Sequence, residues 1–199
     1  MLRIATLGPA GTNHELVARR YMAFAGIEAF ELHLMPSFAE AVEGLLEGVV
    51  DLILQCAVHP ETPETLGGNF RKVFAIDSFI TDSQELGILS RKGGDPRGRL
   101  GILLPANASY TDLSRWRELV NVPSLPIIAD RLLAGELDAG LTYTSYAAEH
   151  PDVLRVEEVI GSPDDVWIIY GRERVARSGE ILGHAEGAGV QAIRRLAGL

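Results

Sequence analysis

Three side chains in this sequence have the chemistry to move a proton near neutral pH. His59 follows an apolar run typical of a strand, and His14 falls in the first turn of a predicted helix. An imidazole titrates near neutrality, so either ring suits a general acid or base. For His14 a positive charge would oppose the helix dipole, so a neutral capping or ligand-binding role is the alternative. Asp165 is the third candidate, as a carboxylate acid or base, although Asp164 and Asp165 also fit a turn or helix cap after Ser162-Pro163.

The opening stretch of the chain predicts a ligand-binding loop. An apolar strand breaks at Gly8-Pro9 and the chain restarts as a helix over about residues 14–24. Glycines in this loop permit positive φ angles and a close approach of the backbone to a ligand, and the helix start favours an anion. The alternative is an ordinary glycine-rich turn. The predicted ligand-binding residues of this loop are Gly11, Thr12 and Asn13.

Further candidate binding residues come directly after other predicted strands. One buried strand, over 49–54, leads to Gln55 and Cys56, and another, over 100–104, leads to a polar loop. Cys56 also fits a small buried hydrophobe, and no covalent step requires it as a nucleophile. The predicted binders of carboxylate and hydroxyl groups in these places are Gln55, Cys56, Asn107, Ala108, Ser109 and Thr144.

These candidates need strands and helices to hold them, and the hydrophobic pattern predicts an alternation of the two. Short apolar strands without polar alternation indicate a mostly parallel sheet that is covered on both faces, so the fold class is α/β. The predicted strands cover 4–7, 29–34, 49–54, 73–76, 85–90, 100–104, 138–142, 153–159 and 166–170. The predicted helices cover 14–24, 38–47, 110–120, 128–133 and about 179–199, and a loop covers 61–69.

Two segments share the pattern Leu-Leu-x-Gly-x-x-Asp-x-x-Leu, at 45–54 and at 132–141. Upstream of each lies a strand that ends in Pro-Ala, at Pro9-Ala10 and at Pro105-Ala106. The spacing differs between the copies, so coincidence is the alternative to a repeat. Two similar lobes would face each other across a cleft, where α/β folds bind ligands. A ligand held by both loops would carry two anionic groups.

Composition excludes several classes of function. The 199 residues carry a net charge of −9 and show no basic cluster, which argues against nucleic acid as a partner. A single cysteine excludes an internal disulfide, and no long apolar span or signal peptide is visible, so we expect a cytoplasmic protein without membrane contact. The histidines form no short metal-ligand pair, and the opening loop lacks a phosphate-binding or dinucleotide motif.

Four motifs together resemble the prephenate dehydratase domain, a two-lobed α/β domain of the periplasmic-binding-protein type II shape. They are Leu7-Gly8-Pro9-Ala10-Gly11-Thr12, Pro36-Ser37-Phe38 followed by Gly48-x-x-Asp51, Pro105-Ala106, and Gly171-Arg172. The resemblance covers the catalytic portion of that family. It implies a first lobe from 1–78 plus 161–199, a second lobe from 79–160, a dicarboxylate substrate, no cofactor or metal, and a homodimer.

The chain departs from the dehydratase pattern at its catalytic motif. Where the family has Thr-Arg-Phe, this chain has Asp165-Val166-Trp167, and Val58-His59-Pro60 replaces Glu-Asn-Ser. The prephenate decarboxylase branch is similar in size and also lacks Thr-Arg-Phe. The resemblance therefore implies a cofactor-independent lyase that acts on prephenate or a similar cyclic dicarboxylate, by decarboxylation or dehydration. A genuine dehydratase of phenylalanine biosynthesis and a non-catalytic module that binds small carboxylates are the alternatives.

Overall fold

The chain folds into two lobes, and each lobe is built on a five-stranded sheet. A computed structural model describes residues 1–175, 178–184 and 186–198. The strands of the first sheet are β1 (Leu2–Leu7), β2 (Phe30–Met35), β3 (Leu52–Cys56), β4 (Phe74–Asp82) and β10 (Asp164–Gly171). The strands of the second sheet are β5 (Leu86–Arg91), β6 (Arg99–Ile102), β7 (Glu118–Asn121), β8 (Ala139–Tyr143) and β9 (Leu154–Gly161).

Helices connect these strands. Those in the described residues are α1 (Asn13–Phe24), α2 (Phe38–Glu47), α3 (Thr62–Gly67), α4 (Leu125–Leu133), α5 (Ser145–Glu149) and α6 (Ala188–Leu196), with one 3-10 turn at Leu113–Arg115. None of these described helices combines the length and the apolar composition needed to span a bilayer.

The strand order is β2-β1-β3-β10-β4 in lobe 1 and β7-β6-β8-β5-β9 in lobe 2. The two orders are equivalent, because β1 corresponds to β6, β2 to β7, β3 to β8, β10 to β5 and β4 to β9. The first three strands of each sheet are parallel, and β10 and β5 pair antiparallel with both of their neighbours. The chain crosses to lobe 2 after β4 and returns before β10. Between these crossings the Ser83 N–H donates to the Pro163 carbonyl at 2.9 Å. The predicted α/β class, with two lobes of mixed sheet, is confirmed.

Equivalent ion pairs begin the central strand of each lobe. Asp51 accepts hydrogen bonds from the Arg3 backbone N–H at 2.9 Å and from the Arg3 guanidinium at 2.8 Å. Asp138 accepts from the Arg99 backbone N–H at 2.9 Å, and the Arg99 guanidinium lies 3.8 Å away. These aspartates are the ones that the repeated sequence pattern contains. The pattern therefore marks the same structural position in both lobes.

The same repeat also ends a helix in each lobe. α2 ends at Gly48 and α4 is followed by Gly135, both with φ of 78°, a conformation that glycine adopts without strain. An arginine from the antiparallel strand then donates to the carbonyls at each helix end. Arg172 donates to the Leu45 carbonyl at 2.9 Å, and Arg91 donates to the Leu133 carbonyl at 3.1 Å. Cations at these helix ends also suit the helix dipole.

The two lobes differ in how closely a helix packs on the sheet. In lobe 1, α2 covers Ala5 and Ile53, which are paired across β1 and β3. In lobe 2 the equivalent pair across β6 and β8 is Gly101 and Gly140. A Cβ atom added to Gly140 would lie 2.3 Å from Cγ2 of Ile128, on α4. The glycines therefore allow α4 to approach its sheet more closely than side chains would.

Three predictions about helices and loops differ from the structure or extend beyond its described residues. The predicted helix over 110–120 is wrong, because this stretch forms only the 3-10 turn and then β7, which pairs in parallel with β6. The predicted loop over 61–69 contains α3. The C-terminal helix expected over 179–199 covers Ala188–Leu196 in the described part, and positions 185 and 199 lie outside the described residues. The predicted lobe boundaries stay a prediction.

Candidate functional site

A cavity of about 240 Å³ lies between the lobes, where strand ends and helix starts of both converge. This volume is slightly below the ~300–1,000 Å³ usual for drug-sized ligands, so the cavity suits one small molecule. Its polar and aromatic lining residues from lobe 1 are Thr12, Asn13, His14, Cys56, His59, Asp165 and Trp167. Those from the first crossing and lobe 2 are Ser83, Asn107, Tyr110, Ser124 and Tyr143.

His14 lies in an aromatic environment within the wall of lobe 1. Its ring centroid is 5.1 Å from that of Trp167, 5.5 Å from Phe38 and 5.9 Å from His59. Burial, with a smaller contribution from His59, lowers the pKa of His14 to about 3. Its Nε2 atom is buried without a hydrogen-bond partner in the described residues. His14 is therefore a neutral imidazole at neutral pH, as the alternative interpretation of the sequence expects.

His59 has a defined ring orientation and tautomer. Its Nδ1 accepts the Glu61 backbone N–H at 3.2 Å, and its ring packs edge-on against Phe38 at 4.9 Å between centroids. An Nδ1 that accepts a hydrogen bond carries no proton in the neutral ring, so the proton is on Nε2. Burial lowers the pKa of His59, although the Glu61 carboxylate opposes this effect. His59 thus offers one N–H from a neutral ring.

Asp165 is the charged side chain of the cavity wall. It lies on β10 opposite Thr81 of β4, and its Oδ2 accepts a short hydrogen bond from the Ser83 hydroxyl. Burial, and then the nearby Asp165 carboxylate, raise the pKa of Tyr110. Burial also raises the pKa of Cys56 to about 11, so its thiol stays protonated at neutral pH and is a poor nucleophile.

The start of α1 uses its backbone donors within the protein. The Gly11 N–H donates to the Glu15 carboxylate at 2.8 Å, and the Glu15 N–H donates to the Thr12 hydroxyl at 3.4 Å. The Asn13 N–H donates across the cleft to the Tyr143 hydroxyl at 3.1 Å. Thr12 is the helix cap. The opening loop thus already holds one carboxylate, from Glu15.

The wall of lobe 2 also carries polar atoms without partners among the described residues, as the wall of lobe 1 does at His14 Nε2 and Trp167 Nε1. Asn107 and Ser124 are each 7% exposed, and Asn107 Oδ1 and Ser124 Oγ have no hydrogen-bond partner in the described residues. Ser124 occupies the cap position of α4 without a side-chain capping bond. Burial raises the pKa of Tyr143, so its hydroxyl stays neutral. Buried polar groups usually have partners, so these two atoms mark the surface that a ligand would satisfy.

The cavity brings together seven of the predicted site residues: Thr12, Asn13, His14, Cys56, His59, Asn107 and Asp165. The other five lie outside its wall. Gln55 is fully buried on the face of β3 opposite to Cys56, because side chains alternate along a strand. Thr144 donates its hydroxyl to Glu85 at 2.6 Å, and Gly11, Ala108 and Ser109 lie in loops behind or outside the wall. The catalytic and binding roles of all twelve stay predictions.

Sequence reasoning missed Ser83, Tyr110 and Ser124. One signal for Ser124 was present, because Pro123-Ser124-Leu125 at the start of α4 parallels Pro36-Ser37-Phe38 at the start of α2. No comparable signal exists for Ser83, which reaches the cavity because it lies in a crossing between the lobes. The described part of the chain has no cluster of three or more ligating side chains that could hold a metal ion.

No family model matches the chain, and no curated protein matches it in sequence. Solved structures do match its fold. A prephenate dehydratase from Arthrobacter aurescens, in complex with L-Phe, superposes with a TM-score of 0.65 and 20% identity over 91% of this chain and 63% of its own. GqqA, described as a novel type of quorum-quenching acylase, superposes with a TM-score of 0.57 and 13% identity, over 87% of this chain and 65% of its own. An ancestral arginine-binding protein, bound to arginine, superposes with a TM-score of 0.54 and 16% identity, over 87% of this chain and 85% of its own.

At these identities the likeness concerns the fold. The chain spans less than two thirds of the length of the dehydratase and of the acylase, at 63% and 65%. It spans 85% of the arginine-binding protein. The chain therefore has the two-lobed α/β fold of periplasmic-binding-protein type II-like proteins, a fold that it shares with a prephenate dehydratase.

Proposed function

We propose that the protein is a cofactor-independent lyase that decarboxylates prephenate, or a similar cyclic carboxylate, in the cavity between the lobes. The observation that carries the proposal is the charge of the cavity wall. Among the described residues that line it, Asp165 is charged, no lysine or arginine is present, and both histidines have lowered pKa values and are neutral. The wall thus contains no cation to hold a leaving carboxylate.

A wall without cations favours loss of carbon dioxide. As the C–C bond breaks, the electron pair moves from the carboxylate into the ring, and charge leaves the carboxylate. A cation on that group would stabilise the substrate more than the transition state, and so would raise the barrier. The aromatic surface of His14 and Trp167 solvates a localised charge poorly, which favours the dispersed charge of the transition state.

His59 is the group that we assign to proton transfer. After carbon dioxide leaves, the electron pair on the ring carbon must take a proton, and the Nε2–H of His59 provides one at the cavity surface. The ring then recovers its proton from solvent. Dehydration would instead need an imidazolium to protonate the departing hydroxyl, and the lowered pKa values keep this cation scarce at neutral pH. A carbanion is basic enough to take its proton from the neutral ring.

Asp165 also separates the two reactions. Its Oδ2 accepts from Ser83, and its other oxygen is an acceptor for the ring hydroxyl of the substrate. A hydroxyl that donates to a carboxylate stays unprotonated, and hydroxide is a poor leaving group. We therefore assign Asp165 to holding this hydroxyl while the carboxylate leaves, in the position where the resembling family has its catalytic threonine.

Incubation of the purified protein with prephenate tests the proposal. A non-aromatic product that has lost one carboxylate and kept its hydroxyl, identified by NMR, is the expected result. Phenylpyruvate, detected by its absorbance in alkali, would show dehydration and support the genuine dehydratase instead. Asp165→Asn should lower the total rate and raise the share of phenylpyruvate, whereas His150→Gln, at an exposed histidine outside the cavity wall, should change neither.

A binding module for amino acids is the second candidate. The arginine-binding protein of the same fold and the lone carboxylate of Asp165 favour it, because a carboxylate in a small cavity would pair with a ligand ammonium group. Calorimetric titration with L-Phe, L-Arg and prephenate distinguishes the candidates. Saturable binding of an amino acid, combined with prephenate that is neither bound nor consumed, would replace the lyase by this module.

A further inference from the structure

We infer that lobe 2 holds a carboxylate subsite at the start of α4, formed by the Ser124 hydroxyl, the Leu125 backbone N–H and the amide of Asn107. The inference deepens the proposed function and rests on it for the choice of prephenate as the ligand. The subsite would anchor the carboxylate that the substrate keeps. It assigns the anchoring of the ligand to lobe 2, whereas the sequence predicts an anion loop in each lobe.

The start of α4 has donors without partners. Ser124 is 7% exposed, and Leu125 is 8% exposed, and both line the cavity. A capping serine normally accepts from the second or third residue of its helix, but the second residue here is Pro126, which has no N–H. Ser124 Oγ makes no capping bond, and the Leu125 N–H has no partner among the described residues. The hydroxyl and the N–H are therefore both free to donate to a ligand.

Asn107 provides a second buried group on the same wall. Its Oδ1 has no partner in the described residues, and the side chain is 7% exposed. A side-chain amide can present either its oxygen or its NH2 group, because a rotation of 180° exchanges them. With the NH2 towards α4, Asn107 becomes a further donor to a carboxylate. Two buried groups without partners thus face one small cavity.

The equivalent position in lobe 1 shows what fits there. At the start of α2, the Ser37 hydroxyl accepts the Glu40 N–H at 3.2 Å, and the Phe38 N–H donates to the Glu61 carboxylate at 3.0 Å. Phe38 and Leu125 are the first residues of their helices. A carboxylate of the protein therefore fills the position in lobe 1 that is open to a ligand in lobe 2.

The orientation of prephenate follows from these two surfaces. Near the start of α1 the N–H groups of Gly11, Asn13 and Glu15 donate within the protein, and the Glu15 carboxylate already lies there. A carboxylate held by strong donors is a poor group to lose as carbon dioxide. The carboxylate at Ser124 is therefore that of the 2-oxoacid side chain, and the ring carboxylate lies towards the histidines of lobe 1.

Kinetics of Ser124→Ala with prephenate test the subsite. A lost hydrogen bond to a charged group should raise KM about 10- to 100-fold. The value of kcat should change by less than about threefold, because uniform binding is lost rather than transition-state stabilisation. Ser124→Thr, which keeps the hydroxyl, should restore most of the affinity. Ser37→Ala is the matched control, since it removes the equivalent serine outside the cavity and should leave KM unchanged.

A binding experiment tests the subsite independently of the proposed lyase activity. Titration with phenylpyruvate, which has the same 2-oxoacid side chain, should shift the Leu125 amide resonance saturably in the wild type and much less in Ser124→Ala. An unmoved Leu125 resonance with an unchanged KM in Ser124→Ala would overturn the subsite and leave the lyase standing. A saturable Leu125 shift without any turnover of prephenate would keep the subsite and overturn the proposed function.

Discussion

The two lobes share one scaffold but contribute different groups to the cavity. Each has the same strand order, an arginine and aspartate pair at the start of its central strand, and an arginine at the end of its helix. Lobe 1 places His14, His59 and Asp165 in the cavity wall, and lobe 2 places Asn107 and Ser124 there. The groups that we assign to chemistry thus lie in lobe 1, and those that we assign to anchoring lie in lobe 2.

This difference shows where a repeated architecture has become specialised. The start of α2 is closed by Ser37 and Glu61, whereas the start of α4 is open at Ser124. The helix start that the protein satisfies itself is closed to a ligand, and the helix start without partners lines the cavity. The proposed division assigns chemistry to lobe 1 and anchoring to lobe 2, and each prediction below addresses one side of it.

The largest effect should come from the proposed proton donor in lobe 1. His59→Gln removes the Nε2–H and should lower kcat for prephenate by about 10²- to 10⁴-fold with a small change in KM. Asn107→Ala in lobe 2 should raise KM with a small change in kcat. Steady-state kinetics with His150→Gln as the control measure both. A His59 variant with unchanged kcat would remove His59 as the proton donor.

The next largest difference between the lobes should be in the stability cost of a core substitution. Gly140→Ala places a Cβ atom 2.3 Å from Cγ2 of the β-branched Ile128, which has little rotamer freedom in a helix. We expect a loss of about 2 kcal/mol in the free energy of unfolding, from overpacking under α4. Ile53→Val, at the equivalent position of lobe 1, should cost about 1 kcal/mol. Urea unfolding measures both values, and equal losses would contradict the closer packing of lobe 2.

The pH dependence of stability should report the burial of His14. Because its pKa is about 3 in the folded protein and near 6.5 in the unfolded chain, the unfolded chain binds the extra proton between these values. This contribution makes the protein less stable as pH falls from 6.5 towards 3, by about 1.4 kcal/mol per pH unit within that window. His14→Phe should remove this part of the slope in urea unfolding between pH 6 and 5. A slope unchanged in the variant would show that His14 is accessible to solvent protons.

The smallest difference should come from the repeated ion pairs. Hydrogen bonds from the Arg3 side chain, and then from its backbone N–H, lower the pKa of Asp51 to about 2. Asp51→Asn should therefore cost about 1 kcal/mol near pH 7. This cost should disappear as pH falls from 4 towards 2, where the wild-type carboxylate becomes protonated. Asp138→Asn, whose arginine side chain is farther away, should cost less in the same thermal unfolding experiment.

Local patterns in the sequence predicted much of the scaffold. Thr12 and Ser37 cap α1 and α2, and Gly48 ends α2, which are the residue types that favour these positions. The repeated Leu-Leu-x-Gly-x-x-Asp pattern marks equivalent structure in both lobes. The stretch over 110–120 was mispredicted because its helix-compatible composition competes with a distant partner, β6, and pairing with that strand prevails.

The candidate site was less predictable because distant contacts assemble it. Ser83 and Asp165 are 82 residues apart and meet only through the paired strands β4 and β10. The loop over 8–12 was expected to bind an anion, but Glu15 and Tyr143 take up its donors, and no local pattern reveals a hydrogen bond to Tyr143, 130 residues away. Which polar atoms remain free depends on all of their neighbours.

The crossings between the lobes have a mechanical consequence. Ser83 lies in one crossing and Asp165 follows the other, and the backbone bond from Ser83 to Pro163 ties the two together. Any rotation of one lobe against the other must be absorbed in these short segments. A ligand bound at Asp165 would therefore lie directly beside both crossings, where the angle between the lobes is set.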